Sequence, residues 1–271
     1  DVERELGSRI PYHVTVGFIP DYHFPLLKEL AKGIRQKLLE NGATYILSYF
    51  DENSMEDGRW WESHDSMREN YEFLLQKVLS EPGLGLVIKP KKSSNLRERL
   101  GNTLKLLEEA EQTGRCLVIE GGSLKNKYPP AVAALVSDIA VHGYLHAATA
   151  GLESALAGIP TLLLDRDGWA ISQLYELGKG KVVFVDWENL WDICMDHRKN
   201  NSMRIGFGDW SPILGELDPF RDGKAAERVG MYLKWILDGF KEDLPRENVL
   251  SNAAEKYTEI WGSDKVTAIN C

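Results

Sequence analysis

Lys89, Lys91 and Lys92 fall together in the run IKPKK, and further along comes the stretch SDIAVHGYLHAATAGLESALAGIPTLLLDRDGW, Ser137 to Trp169. The second stretch reads as a strand (Ile139–His142), a small-residue loop, a short helix (Leu152–Ala157) and another strand (Thr161–Leu164), the order in which phosphate-binding loops are built. Gly143 and the small residues Ala147 to Gly151, Ala150 among them, would let the backbone pass close to a ligand. The free N–H groups and positive dipole end of the helix would face the same loop, with Glu153 in the first turn. In an open parallel sheet such loops lie at the carboxyl ends of strands, and an anion is the expected guest. Lys89 and Lys91, at the exit of another strand, would meet a phosphate or pyrophosphate at that edge. A small-residue helix packed between two strands and a solvated lysine run account for the same residues without a ligand.

Two further groups could do chemistry. His142 and His146 are four residues apart but straddle a loop, and no third ligand stands at metal spacing, so no metal site is expected. Either could donate to a phosphate or a ribose, or be a satisfied structural histidine. Asp51, Glu52, Glu56 and Asp57 crowd the loop after the strand Thr44–Phe50. There Asp51 and Glu52 are candidate catalytic carboxylates, able to act as a general base or to bind sugar hydroxyls, and a solvated loop is the alternative. The chain lacks G-x-S-x-G, a Walker sequence and G-x-G-x-x-G, which removes the best support for a serine hydrolase, a P-loop NTPase or a dinucleotide oxidoreductase.

The elements that must position these groups alternate between strand and helix, the pattern of a parallel sheet covered on both faces. Expected strands are His13–Ile19, Thr44–Phe50, Leu84–Lys89, Cys116–Ile119, Ile139–His142, Thr161–Leu164 and Val182–Val185. Expected helices are Phe24–Glu40, Met67–Leu79, Leu96–Gln112, Ala131–Val136, Leu152–Ala157 and Ala170–Leu177, punctuated by Asn41–Gly42 and Glu81–Pro82–Gly83. The fold class that follows is α/β, a Rossmann-like parallel sheet of five or six strands with helices on both faces, followed by C-terminal helices with breaks at Gly206–Gly208 and Asp218–Pro219. A domain boundary is expected near Asn41–Gly42, with residues 1–42 a linker and 43–271 the ligand-binding domain.

The 271 residues, 43% apolar, are enough for a substantial core. Forty-one acidic against thirty-two basic residues give a net charge of −9, which disfavours nucleic acid as a partner, so any phosphate must be met locally. Three separated cysteines suggest neither a disulfide framework nor a zinc cluster and fit a reducing compartment. No segment reads as a spanning helix or a signal peptide. Tryptophans such as Trp60, Trp61, Trp187, Trp191 and Trp210 either fill packing niches or mark a partner or membrane-surface contact. The absence of an initiating methionine and the polar start DVERELGSRIPY are expected of an excised piece or a processed chain.

With those residues in view, the chain resembles the C-terminal, donor-binding half of GT-B glycosyltransferases, in particular bacterial capsule and surface-polysaccharide biosynthesis proteins. SDIAVHGYLHAATAGLESALAGIPTLLLD is similar to the family's strand, Gly loop, Ser/Thr-rich turn and Glu-bearing helix. LVIKPK is similar to a strand end that reads K-x-H-P in several relatives and touches the nucleotide phosphate. ELDPFRDGKAAERVGMYLKWIL is similar to a C-terminal stretch common in surface-carbohydrate proteins. The likeness runs from about Thr44 to Trp261.

The resemblance implies a nucleotide-activated sugar as donor, held by Lys89, Lys91, His142, Gly143, His146, Thr149, Ala150, Gly151 and Glu153, with no tightly bound cofactor. It also implies a carbohydrate acceptor, a separate N-terminal domain carrying the acceptor site and base, and a cytoplasmic location with peripheral association at the inner membrane face. Lys91 stands where relatives carry histidine, and Ala148–Thr149 replaces a paired Ser/Thr, leaving Thr149 as the turn's one hydroxyl for a phosphate. A sugar-nucleotide epimerase of the same architecture and a non-catalytic carbohydrate- or partner-binding domain are the alternatives.

Overall fold

The structure, a computed structural model, describes residues 10–56, 62–120, 128–145, 149–200 and 205–269. His146, Ala147, Ala148, Asp57, Trp60 and Trp61 therefore lie outside the described residues. In chain order the elements are β1 (Tyr12–Val14), α1 (Phe24–Glu40), β2 (Tyr45–Phe50), β3 (Ser54–Met55), β4 (Glu62–Ser63), α2 (His64–Ser80), β5 (Leu84–Lys89), α3 (Leu96–Leu100) and α4 (Leu104–Gln112). They continue with β6 (Cys116–Val118), α5 (Pro130–Val136), β7 (Ile139–His142), α6 (Thr149–Leu156), β8 (Thr161–Leu164), β9 (Val183–Phe184), α7 (Trp187–Asn200), α8 (Ser211–Leu217), α9 (Ala225–Lys241), α10 (Arg246–Trp261) and β10 (Val266–Ala268).

Residues 24–214 form one compact unit, and residues 1–23 with 215–271 form the other. The chain thus divides at His23–Phe24 and Leu214–Gly215 rather than near Asn41–Gly42, because α1 buries Ala31 and Leu38 against the same core as Ile46, Val87 and Ala140. The larger unit is α/β. Six of its strands form one sheet, in the order β6-β5-β2-β7-β8-β9, and are all parallel. Every residue of β2, β5, β7 and β8 is buried, as expected of largely apolar strands covered on both faces.

The period of two sorts the side chains. Tyr45, Leu47, Tyr49, Leu86, Ile88, Ile139 and Val141 pack with Tyr71, Leu74 and Val78 of α2, Leu107 of α4 and Trp191 of α7. Ile46, Phe50, Val87 and Ala140 face the other way, onto α1 and the alanine-rich α5. Trp187, Trp191 and Trp210 are all buried in this unit. Trp187 Nε1 donates to Asn70 Oδ1 and Trp210 Nε1 to the Thr161 carbonyl, so these three fill the core and are not a docking surface.

Three expected elements differ in the structure, each for a local reason. The helix expected at Leu96–Gln112 is split by Gly101, whose φ of 53° ends α3 before α4 begins. The one expected at Ala170–Leu177 shortens to a 3-10 turn, Gln173–Leu177, capped by the Ser172 hydroxyl and closed by Gly178. The strand expected at His13–Ile19 reduces to β1, with Gly17 at a φ of 93° just beyond it. In the smaller unit β1 pairs antiparallel with β10, and Tyr257 Oη donates to the Thr15 carbonyl at 2.8 Å. Arg228, buried there, pairs with Asp222 and lies 3.5 Å over the Phe220 ring.

Candidate functional site

The last residues of β2, β5 and β7 stand side by side, because the register aligns Phe50 with Lys89 on one flank and with His142 on the other. All three point to the α1/α5 side of the sheet, and the Phe50 and His142 rings stack at 6.4 Å between centroids. A cavity of about 380 Å³ opens at this carboxyl edge, lined by Phe50, Asp51, Glu52, Lys89, Pro90, Lys91, Pro130, His142, Thr149, Ala150 and Glu153. The carboxyl edge is where open α/β sheets hold ligands.

Lys89 is 7% exposed, and its ammonium donates to the Pro90 carbonyl at 3.4 Å, a long contact for a group with three donors. Burial lowers its pKa, and the charges of Asp51 and Glu153 pull it back up. Lys91, more exposed, forms an ion pair with Glu52, whose side chain is almost fully buried. The backbone N–H of Lys91 donates to Asp51 Oδ1 at 2.6 Å, and Tyr71 Oη donates to Asp51 Oδ2 at 2.8 Å. Burial still pushes the Asp51 carboxyl up to about 6. The first carboxylate is thus a strut between β2, α2 and the turn after β5, and the second a counter-ion. Glu56 lies in the turn after β3 and does not line the cavity.

His142 is buried, and its Nδ1 accepts from the Tyr144 N–H at 3.2 Å. The ring proton then sits on Nε2, which makes this imidazole a neutral donor. Thr149 and Ala150 open α6 at the cavity wall. Glu153 lies one turn in, but its Oε1 accepts from the Ala131 N–H at 2.7 Å, so it caps α5. Burial raises the Glu153 pKa, while the Ala131 N–H and Lys89 oppose the rise. Pro130, at the first position of α5, is, with Phe50 and Pro90, a lining residue that sequence reasoning passes over, and its signal was there in the Pro129–Pro130 pair before an alanine run.

Gly143 and Gly151 do not line the cavity. A Cβ on Gly143 would stand 2.4 Å from Tyr49 Oη, and one on Gly151 would stand 3.2 Å from Leu163 Cδ2. Both glycines answer to close packing between loop or helix and sheet. Sequence reasoning also passes over Glu62, whose Oε1 accepts from Asn70 Nδ2 at 2.7 Å and whose Oε2 is buried with no hydrogen-bond partner among the described residues. Burial, then the charge of Asp51, pushes this carboxyl up to about 9 against the opposing pull of Asn70 and Arg166.

Among the described residues no group of three His, Cys, Asp or Glu side chains could hold a metal ion, and no helix is long and apolar enough to cross a membrane. No protein-family profile matches the chain, and no curated protein does. Among solved structures, the C-terminal domain of a group 1 family glycosyl transferase, LpcC, from Francisella tularensis aligns with a TM-score of 0.44 and 13% identity. The alignment covers 67% of this chain and 90% of that one.

Proposed function

We propose that the cavity at the carboxyl edge is the donor site of a glycosyltransferase of surface-polysaccharide assembly, taking a nucleotide-activated sugar. The observation that carries the reading is the convergence of a buried, under-coordinated ammonium (Lys89), a neutral imidazole (His142) and the first residues of α6 on one cavity beyond three adjacent parallel strands. Such donors suit the phosphate of a sugar nucleotide, and the charge that develops on the leaving nucleotide would fall beside Lys89. The resemblance of the 137–165 and 86–91 segments to a GT-B donor half supports the same assignment.

Asp51 and Glu52 hold other groups of this chain, which argues against either as the general base. In this reading an acceptor hydroxyl is activated from the acceptor-binding half of the enzyme, while these residues bind the donor and stabilise charge. Calorimetric titration with CMP, CDP, UDP and GDP tests it. Selective binding of one base, weakened about tenfold or more in Lys89→Met, is expected for a lost charge-assisted contact. Equal binding to wild type and variant would refute the assignment.

A further inference from the structure

Within that donor-site reading, the charges around the cavity narrow the class of donor. Among the described residues, two ammonium groups and three carboxylates line it: Lys89 and Lys91 against Asp51, Glu52 and Glu153. Lys91 is neutralised by Glu52, whose side chain is held in place by burial and by the Asn53 N–H, donated to Oε1 at 2.9 Å. Among the described residues Lys89 is left as the one lining cation outside an ion pair; the residue is 7% exposed and its ammonium has a single long hydrogen bond. His142 adds a neutral donor and the start of α6 adds backbone N–H groups. A sugar nucleotide joined through one phosphate brings one negative charge to this set. One joined through a pyrophosphate brings two, and the second has the Glu52 carboxylate as competitor for Lys91.

We propose that Glu52 is a specificity-determining residue, which by tying up Lys91 makes this a site for a nucleoside monophosphate sugar rather than a nucleoside diphosphate sugar. The second phosphate of a diphosphate donor is excluded by charge and not by base recognition, so the preference holds whichever base the site selects.

Calorimetry on the whole chain, in buffer containing EDTA so that no divalent cation masks the pyrophosphate, compares CMP with CDP and UMP with UDP. Each pair shares a base and differs by one phosphate. The monophosphate of the preferred base is expected to bind about tenfold more tightly than its diphosphate, the size of one uncompensated like-charge contact in a half-buried site. In Glu52→Gln, which frees Lys91 while keeping the acceptor oxygen for the Asn53 N–H, that ratio is expected to collapse to about one. In Lys91→Met, which leaves Glu52 unpaired, it is expected to widen. Opposite shifts in the two variants are something structural damage does not produce, and circular dichroism reports whether each is folded.

Diphosphate binding as tight as or tighter than monophosphate in the wild type would overturn the inference while leaving the donor-site reading in place. A monophosphate preference that persists unchanged in both variants would overturn the role of Glu52. Absence of binding by all four nucleotides, and by GMP and GDP as well, would remove the donor-site reading, and this inference with it.

Discussion

Gly143 is the residue on which the ligand-loop and packing accounts part most cleanly. Its φ is not positive, so the backbone would accept alanine, and any cost must come from space. The added Cβ would meet Tyr49 at three atoms, Oη at 2.4 Å, Cε2 at 2.9 Å and Cζ at 3.0 Å. Tyr49 is fully buried, packed edge-on to Tyr71 and beside Trp187, so its ring has little room to retreat. Overpacking of this kind costs about 1–3 kcal/mol, and the depth of this clash places Gly143→Ala near 3 kcal/mol. Tyr49→Phe removes the nearest atom. Because that hydroxyl is buried with no hydrogen-bond partner among the described residues, its removal alone should cost little. The double variant should then recover about half the loss, a coupling of roughly 1–2 kcal/mol in a double-mutant cycle. Urea unfolding followed by tryptophan fluorescence and far-UV circular dichroism measures each corner. A Gly143→Ala cost below about 0.5 kcal/mol, or no recovery in the double variant, would refute the packing account.

Two further outcomes follow from the buried carboxyls. Glu62 has a folded pKa of about 9 against an ordinary value of 4.5, so the folded state holds its proton where the unfolded state has lost it. Stability is therefore greatest below the ordinary value and falls as pH rises towards 9. The wild type should lose about 4 kcal/mol relative to Glu62→Gln between pH 5 and pH 8, and a pH-independent difference in urea-unfolding free energy would count against it. Glu153→Ala should destabilise by about 1.5–3 kcal/mol, because the buried Ala131 N–H loses a charged acceptor, while Glu153→Gln should keep most of that stability. Equal thermal melting of the two variants would show that the carboxylate is not acting as a cap.

Much of this was legible in the chain, for reasons that differ by element. β2, β5, β7 and β8 announce themselves because a strand buried on both faces is apolar at nearly every position, the polar exceptions being Ser48, Lys89, His142 and Thr161. The carboxyl-edge location of Lys89 and His142 follows once those strands are parallel. β9, expected at Val182–Val185, forms only at Val183–Phe184; β3 and β4, of two residues each, carry too little pattern to be read, and β10 exists only by pairing with β1. Gly143 and Gly151 could be read as unusual but not as to why, since the atoms that exclude a side chain belong to Tyr49 and to Leu163. Glu153 lines the cavity, yet its bond to Ala131 crosses 22 positions of sequence and is visible only in three dimensions. The Asp51–Tyr71 bond is of the same kind.

The pairing of β1 with β10 also fixes an order of events during synthesis. Thr15 leaves the ribosome well before the tyrosine that donates to its carbonyl, which lies 242 positions later. Everything needed for the parallel sheet is translated in between, so that sheet can close while the first strand still waits for its partner. Domains generally fold as units as they are made, at roughly 5–20 residues per second, which leaves β1 an unsatisfied edge for roughly ten seconds or more. An edge of three residues is a small template for wrong pairing, and its brevity is itself a safeguard during that interval.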